Sequence, residues 1–381
     1  MRIAVFGGSF DPVHIEHTRI AAAAIEELRL DKLVVMPAHM PPHKPGKILS
    51  PDFNRLEMCR LAFSEQPNVE ISDYEMTRGG TSYTYLTCQY FREKYPNADI
   101  FWLVGTDMLR DFPTWKNTSE ILDCVTLAVC GRTEKENWLE KERADFYARF
   151  QKEFAFVSYN GADVSSTEIR VLAGAGMPLT PFVESNVEKY IQEKGLYYIP
   201  NADRALNLEK PHRKAHSIRV ANLAAARAVS LRMNEKQAIE AALFHDCAKN
   251  LEADSPYLKE FCAPSKWGKV PVSVVHQFAG AYVAETFLGV KDADVLNAIR
   301  FHTSARPNMS ELEKLIFLSD MLESERSYEG VDELRTLFWD KNGLDVCLTE
   351  SLRQTLLFLK EKGGDIYPLT QAAYDYYKNK C

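Results

Sequence analysis

Two sets of residues in this chain have the types and spacing needed for chemistry on phosphate groups. The first is the string Gly7-Gly8-Ser9-Phe10-Asp11-Pro12-Val13-His14-Ile15-Glu16-His17. Two glycines let a backbone turn tightly and let something approach it closely. His14 and His17 stand three apart, which puts them near one face once a helix has begun. They read either as surface polar residues beside a turn or as partners of phosphate oxygens. The second set is spread over the other half: histidines at 212, 216, 245, 276 and 302, the doublet His245-Asp246, and Asp320. Asp320 is flanked by Ile316, Phe317, Leu318 and Met321. A carboxylate half buried in an apolar helix needs a partner, and a metal cation is a good one. Several histidines, a His-Asp doublet and a distant Asp favour a ligand set over scattered helix histidines.

The elements around the first set are those of an open α/β sheet. Arg2 to Phe6 is an apolar run that reads as a strand buried on both faces. Asp11-Pro12 is a helix-start signal, with Asp as cap and Pro in the first turn, and an Ala-rich helix continues from Thr18 to Leu30. At that corner free N–H groups and the helix dipole favour an anion. Further strands are expected at 33–37, 69–72, 100–104, 125–130 and 154–157, and helices at 53–63, 85–94 and, in a charged stretch, 134–153. The motifs fall after strands, where open sheets bind ligands. They are the proline-stiffened loop with His43 and Lys44, the polar turn 78–84, and Gly105-Thr106-Asp107. Asp107 reads as a ribose partner or as a helix cap. Trp115 alone reads as core. Ser165 and Glu168 fit a capping box, which does not account for Arg170; the helix start there reads as a second anion site to which Arg170 adds charge.

Together these strings resemble the phosphate-binding signature of the HxGH nucleotidylyltransferases. More closely, GGSFDPVH, MPAHMPPHK, the SYT turn, GTD, PTW and VSSTEIR resemble bacterial nicotinate-nucleotide adenylyltransferases. The resemblance implies a Rossmann-like α/β domain over residues 1–200 that transfers an adenylyl group from ATP to nicotinate mononucleotide. It implies ATP binding by Gly8, Ser9, Phe10, His14, His17, Gly105, Asp107, Ser166, Thr167 and Arg170. Lys44, Thr84 and Trp115 are then expected to hold nicotinate mononucleotide, and Mg²⁺ to accompany ATP. His14, His17, Lys44 and Arg170 carry the expected catalysis, by positioning and by neutralising charge on phosphate oxygens. Glu16 stands where that family usually has glycine, and Leu86 where it usually has Asp after the SYT turn.

Prolines at 200 and 211 bracket a domain boundary, and beyond it helical patterns dominate: 216–233, 235–249, 272–287, 292–301 and 312–322. The ordered set H…HDxAK…H…HTSxRP…D resembles the HD superfamily, and within it the bacterial hydrolases that split diadenosine tetraphosphate symmetrically into two ADP. That implies an all-α HD-superfamily phosphohydrolase domain over 205–381 with His216, His245, Asp246, His276, His302 and Asp320 as metal ligands. Six ligands exceed the needs of one tetrahedral ion and suit two. Nitrogen and oxygen ligands without thiolate point to iron, with manganese or magnesium as alternatives. Lys249 is expected to contribute to catalysis by holding a phosphate, and Arg306 is a second phosphate partner.

The remaining bounds agree. The chain has 381 residues, a net charge of −7 and eight cysteines without a CxxC pair. These argue for two domains, against a nucleic-acid surface, and for reduced thiols in a cytoplasm. No apolar segment reaches membrane-spanning length, and no signal peptide is evident. Homo-oligomerisation stays open. The reading is a bifunctional cytoplasmic enzyme acting on ATP, nicotinate mononucleotide and diadenosine tetraphosphate. Its alternatives are a nucleotide-sensing HD domain that does not cleave, another phosphorylated acceptor, or a general nucleotide phosphohydrolase.

Overall fold

The computed structural model describes residues 1–42, 48–131, 136–162, 164–266, 268–341 and 343–380, with the side chains of 136 and 137 outside the description. Lys44 and His43 therefore lie outside the described residues. The chain divides into two compact units. The first holds residues 1–45, 49–169 and 179–196, and the second holds 46–48, 170–178 and 197–381.

The first unit is built on six parallel strands: β1 (Arg2–Gly8), β2 (Lys32–Pro37), β3 (Val69–Ile71), β4 (Asp99–Gly105), β5 (Thr126–Gly131) and β6 (Ala155–Ser158). Their spatial order is β3-β2-β1-β4-β5-β6. The apolar runs of β1, β2, β4 and β5 are buried, as a parallel sheet covered on both faces requires, while the outer strands β3 and β6 are half-buried. Strand order reverses between β1 and β4, so the loops that follow these two strands flank the crevice where such sheets bind ligands. Gly7 is needed there: a Cβ on it would lie 2.9 Å from the Trp102 ring of β4.

The helix after β1 departs from the expected start. It runs over Ile15–Glu27 with His14 as N-cap, so neither Asp11 nor Pro12 opens it. The Asp11 carboxylate is engaged elsewhere, accepting a hydrogen bond from the Ser50 N–H at 3.2 Å. A short helix, Tyr74–Arg78, precedes the polar turn and was not predicted, and the next begins at Thr84. The charged helix spans Glu136–Phe150. Cysteines 59, 88, 124, 130, 247, 262 and 347 are free thiols.

The second unit is helical, with no strand among its described residues. Its helices are Ala202–Asn207, Pro211–Ser230, Glu235–Phe244, Val272–Thr286, Ala293–Phe301, Glu311–Leu322, Val331–Phe338, Asp345–Glu361 and Pro368–Tyr377. Local chemistry sets several starts. Asn234 accepts from the N–H groups of Lys236 and Gln237, Asp292 from those of Asp294 and Val295, and Ser310 forms a capping box with Glu313. Fully buried alanines (221, 224, 225, 228, 238, 241 and 242) let helices Pro211–Ser230 and Glu235–Phe244 approach closely. Helix 202–207 occupies the stretch read as a boundary, and three helices follow Leu322 where none was read. The expected helix 235–249 ends at Phe244. Beyond it Cys247 N–H bonds Phe244 C=O and Lys249 N–H bonds Asp246 C=O, three-residue turns that replace the helical ladder. No helix among the described residues is long and apolar enough to cross a membrane.

Candidate functional site

In the first unit the two histidines meet. Their ring centroids lie 3.7 Å apart, and His14 N–H donates to His17 Nδ1 at 3.1 Å. The His17 ring packs against Phe10 at 4.9 Å and Phe6 at 5.9 Å, so its orientation is set by the end of β1. His14 is 8% exposed, and burial lowers its pKa to about 4 against the opposing charge of Glu16. It is therefore a neutral imidazole near pH 7, and its Nδ1 is buried with no hydrogen-bond partner among the described residues.

Both histidines line a cavity of about 590 Å³ with Thr106, Gly131 and Val164, residues at or beyond the carboxyl ends of β1, β4, β5 and β6. That volume falls within the range of small-molecule sites. The helix that opens at Ser166 is tied to the same corner: Ser166 O–H donates to Pro12 C=O at 2.9 Å. Ser165 caps it through Glu168 N–H at 3.2 Å, as the capping box predicts. Asp107 lies in the first turn of helix Thr106–Asp111, with its carboxylate over Gly105, where a Cβ would come within 2.6 Å of it.

Glu16 points into this cavity yet is not left as a bare charge. Tyr159 O–H donates to it, and Arg19 pairs with it at 3.0 Å. A second cavity of about 360 Å³ is lined by Thr84 and Trp115 with Pro42, Tyr83, Thr114 and Lys116. Trp115 is thus both core, at 7% exposure, and cavity wall. The sequence reading missed Arg55. This fully buried guanidinium donates to Ser9 C=O at 2.9 Å, Ala38 C=O at 2.6 Å and Ser50 C=O at 3.0 Å, and so holds the loops after β1 and β2 together. An arginine three residues after Asp52 was its only sequence signal; the two pair at 2.5 Å. Arg170 clusters with the second unit, where it is buried and its guanidinium pairs with the Glu235 carboxylate.

In the second unit all six predicted ligands converge. His216, His245 and Asp246 form one group, His245, His302 and Asp320 a second, and Asp246, His276 and His302 a third, each with ligand atoms within 4.8 Å of one another. His216 Nε2 and Asp320 Oδ1 are 2.9 Å apart, and His276 and His302 Nε2 are 3.2 Å apart. Atoms bound about 2.1 Å from one ion at 90–109° lie about 3.0–3.4 Å from each other.

The second layer fixes which nitrogen faces inward. His245 Nδ1 donates to Ala242 C=O at 2.6 Å, His302 Nδ1 to Ile299 C=O at 2.8 Å, and His216 Nδ1 to the Glu323 carboxylate at 3.1 Å. Each bond leaves Nε2 toward the centre, as metal-binding histidines require. His245 Nε2 and Asp246 Oδ1 are buried and make no hydrogen bond among the described residues. Burial lowers the pKa of His245 to about 4 and that of His276 to about 2, so both are neutral ligands near pH 7. Against the burial that would raise them, neighbouring histidines hold Asp246 and Asp320 well below the usual carboxylate range. The residues present therefore fit divalent ions.

Of the two residues expected to hold phosphate here, Lys249 lies beside the ligand cluster and Arg306 pairs elsewhere. Lys249 Nζ reaches His276 Nε2 at 2.8 Å. Arg306 is turned away to the fully buried Glu313, which accepts from its Nε and Nη2 at 2.7 Å each, while Phe301 packs on its face. No local signal foretold that pairing. Glu323 was missed as the partner of His216, although it lies one turn beyond Asp320.

Comparison with known proteins follows the same division. A cytidylyltransferase-like family model matches residues 5–172, and an HD-domain model matches 213–325. A probable nicotinate-nucleotide adenylyltransferase/Ap4A hydrolase from Mycoplasma genitalium is 28% identical over 336 residues, which is 86% of this chain and 89% of that protein. A probable nicotinate-nucleotide adenylyltransferase from Clostridium tetani is 34% identical over 195 residues, 51% of this chain and 98% of that protein. A solved structure described as a predicted HD superfamily hydrolase involved in NAD metabolism, from Clostridium acetobutylicum, is 34% identical. It covers 47% of this chain and 96% of that chain, with a TM-score of 0.42.

Proposed function

Because the chain belongs to the nicotinate-nucleotide adenylyltransferase family through its N-terminal domain and continues into an HD domain, we propose a bifunctional cytoplasmic enzyme. Its first reaction makes deamido-NAD and pyrophosphate from ATP and nicotinate mononucleotide. Its second is metal-dependent: water and diadenosine tetraphosphate give two ADP. The proposed ranges are 1–200 and 205–381.

For the first reaction, the observation that carries the proposal is the closely packed His14–His17 pair in a cavity at the sheet's switch point, tied to Ser166. The phosphate oxygen of the mononucleotide attacks the α-phosphorus of ATP, and the bond to the bridging oxygen of pyrophosphate breaks in line. No protein nucleophile is needed. His17, held by Phe6 and Phe10, and neutral His14 donate to phosphate oxygens, and the helix starts at Ile15 and Ser166 add dipoles of the right sign. Mg²⁺ bound with ATP supplies further neutralisation of phosphate charge. Lys44 is proposed to join them, and Thr84 and Trp115 to hold the nicotinate ring in the second cavity.

For the second reaction, the convergence of four histidines and two aspartates, with Nε2 of His216, His245 and His302 held inward, carries the proposal. Iron is the proposed metal, with manganese or magnesium as alternatives; bound there, it would supply Lewis acidity toward the phosphate oxygens and activate water. The protein's part is to keep His245 and His276 neutral, fix the inward nitrogen of His216, His245 and His302, and present Lys249 beside His276.

One experiment covers both halves. Full-length protein is loaded with Fe²⁺ or Mn²⁺ and given diadenosine tetraphosphate, with products separated by chromatography. The expected result is ADP alone, lost in His245→Ala while adenylyl transfer to nicotinate mononucleotide persists. ATP plus AMP as products, or full cleavage by His245→Ala, contradicts the second reaction. Equal use of nicotinamide mononucleotide contradicts the first acceptor.

A further inference from the structure

The HD centre has a cationic rim that its ligand set does not explain. Arg213, from the first turn of helix Pro211–Ser230, pairs with Asp246 Oδ2 at 3.0 Å, and its Nε is buried with no hydrogen-bond partner among the described residues. Arg326, in the turn after helix Glu311–Leu322, pairs with Asp320 Oδ1 at 2.5 Å and with Asp320 C=O at 2.9 Å, and lies 4.0 Å from Glu323. Lys249 reaches the third side at His276.

We infer that Arg213 and Arg326, with Lys249, form the site that holds a nucleotide's polyphosphate chain across the metal centre. This rests on the phosphohydrolase reading of that centre. Three lines of argument favour it. The two arginine side chains are 23% and 36% exposed while the Asp246 side chain is 2% exposed, so the cations sit at the mouth and the ligands beneath them. Each guanidinium spends only part of its five donors on the carboxylate, and the fork geometry suits phosphate oxygens. A residue whose task is to support a metal ligand does not need positive charge, because a cation beside a ligating carboxylate weakens that carboxylate's hold on a second cation. Arg306 cannot serve here, since Glu313 occupies both edges of its guanidinium.

The test measures binding of inorganic tripolyphosphate to the full-length, Mn²⁺-loaded protein by titration calorimetry, alongside Mn²⁺ affinity, in wild type, Arg213→Gln and Arg326→Gln. Tripolyphosphate affinity is expected to fall about 10–100-fold in each variant, as loss of charge-assisted bonds implies. Mn²⁺ affinity is expected to hold or rise. Arg326→Lys is expected to recover part of the anion binding. The inference is overturned if anion affinity stays within about twofold of wild type, or if both variants lose Mn²⁺, which would make the arginines supports of the ligand carboxylates. Diadenosine tetraphosphate products read in the same samples separate the two claims. Arginine-dependent binding without cleavage keeps the rim and removes the hydrolase reading. Cleavage by both variants at wild-type KM keeps the hydrolase and removes the rim.

Discussion

The Glu323 carboxylate accepts a hydrogen bond from His216 Nδ1 at 3.1 Å, and so directs the opposite nitrogen of that ring toward Asp320. Arg219 holds the same carboxylate at 2.6 Å, so a chain of three side chains fixes one ligand of the HD centre. Outer partners of this kind are worth about 10–100-fold in metal affinity. Glu323→Ala is therefore expected to weaken Mn²⁺ binding about 10-fold or more in a calorimetric titration. Unchanged affinity would mean that packing alone orients His216.

The His14–His17 cavity and the HD centre belong to separate compact units, and their chemistries are expected to separate. Removing one preorganised donor to developing charge costs about 10²–10³ in rate. His17→Ala should lose about that factor in deamido-NAD formation from ATP and nicotinate mononucleotide. Cleavage of diadenosine tetraphosphate by the same protein should stay at the wild-type rate. Steady-state assays of both reactions on one preparation check this.

Lys116 lines the cavity that holds Thr84 and Trp115, with its ammonium 4.5 Å from the centre of the Tyr83 ring. A cation there favours a nicotinate carboxylate over a neutral amide. Lys116→Met should lower kcat/KM for nicotinate mononucleotide about 10-fold, the size of one charge-assisted hydrogen bond. It should leave the amide nucleotide nearly unaffected, so the ratio of the two narrows. A uniform loss for both acceptors would place Lys116 in packing only.

His14 makes stability depend on pH in a defined direction. Burial lowers its pKa to about 4 from an unfolded value near 6.5, with Glu16 opposing. Between those values the unfolded chain binds the proton and the folded chain does not, so stability rises with pH there. As pH falls from about 6.5 to about 4, His14 should account for a loss of up to about 3 kcal/mol. Urea unfolding of wild type and His14→Asn at pH 7 and pH 4.5 reads this: the wild type should lose more of its stability than the variant. Parallel losses would show that other groups dominate.

Much of this was legible before the fold was known, for reasons that can be named. The strands β1, β2, β4 and β5 are built on apolar runs, and a run buried on both faces has few alternatives to a parallel sheet. His245 and His302 were readable because each ends an apolar helix, and Asp320 because a carboxylate among Ile316, Phe317 and Leu318 needs a cation. What escaped depends on partners distant in sequence or on competition between local signals. Asp11 looked like a cap, but Ser50, 39 residues away, takes its carboxylate and leaves His14 to open the helix. Arg306 looked free to bind phosphate, yet Glu313 claims it from the next helix. The helix begun at Glu235 kept its pattern past Phe244, and only tight turns at Cys247 and Lys249 bring the His245-Asp246 doublet into the centre. Apart from its spacing to Asp52, Arg55 gave no sign of its role, because its partners are backbone carbonyls of two loops, those after β1 and β2.

The central claim is that six residues scattered over more than a hundred positions hold divalent ions in the HD domain. Anomalous diffraction at the manganese edge, from crystals of the full chain grown with Mn²⁺, tests it most directly. The account predicts two peaks about 3.5–4 Å apart, bounded by the Nε2 atoms of His216, His245, His276 and His302 and the carboxylates of Asp246 and Asp320. Full Mn²⁺ saturation with no peak at those atoms, or with the ions held elsewhere on the chain, would contradict it.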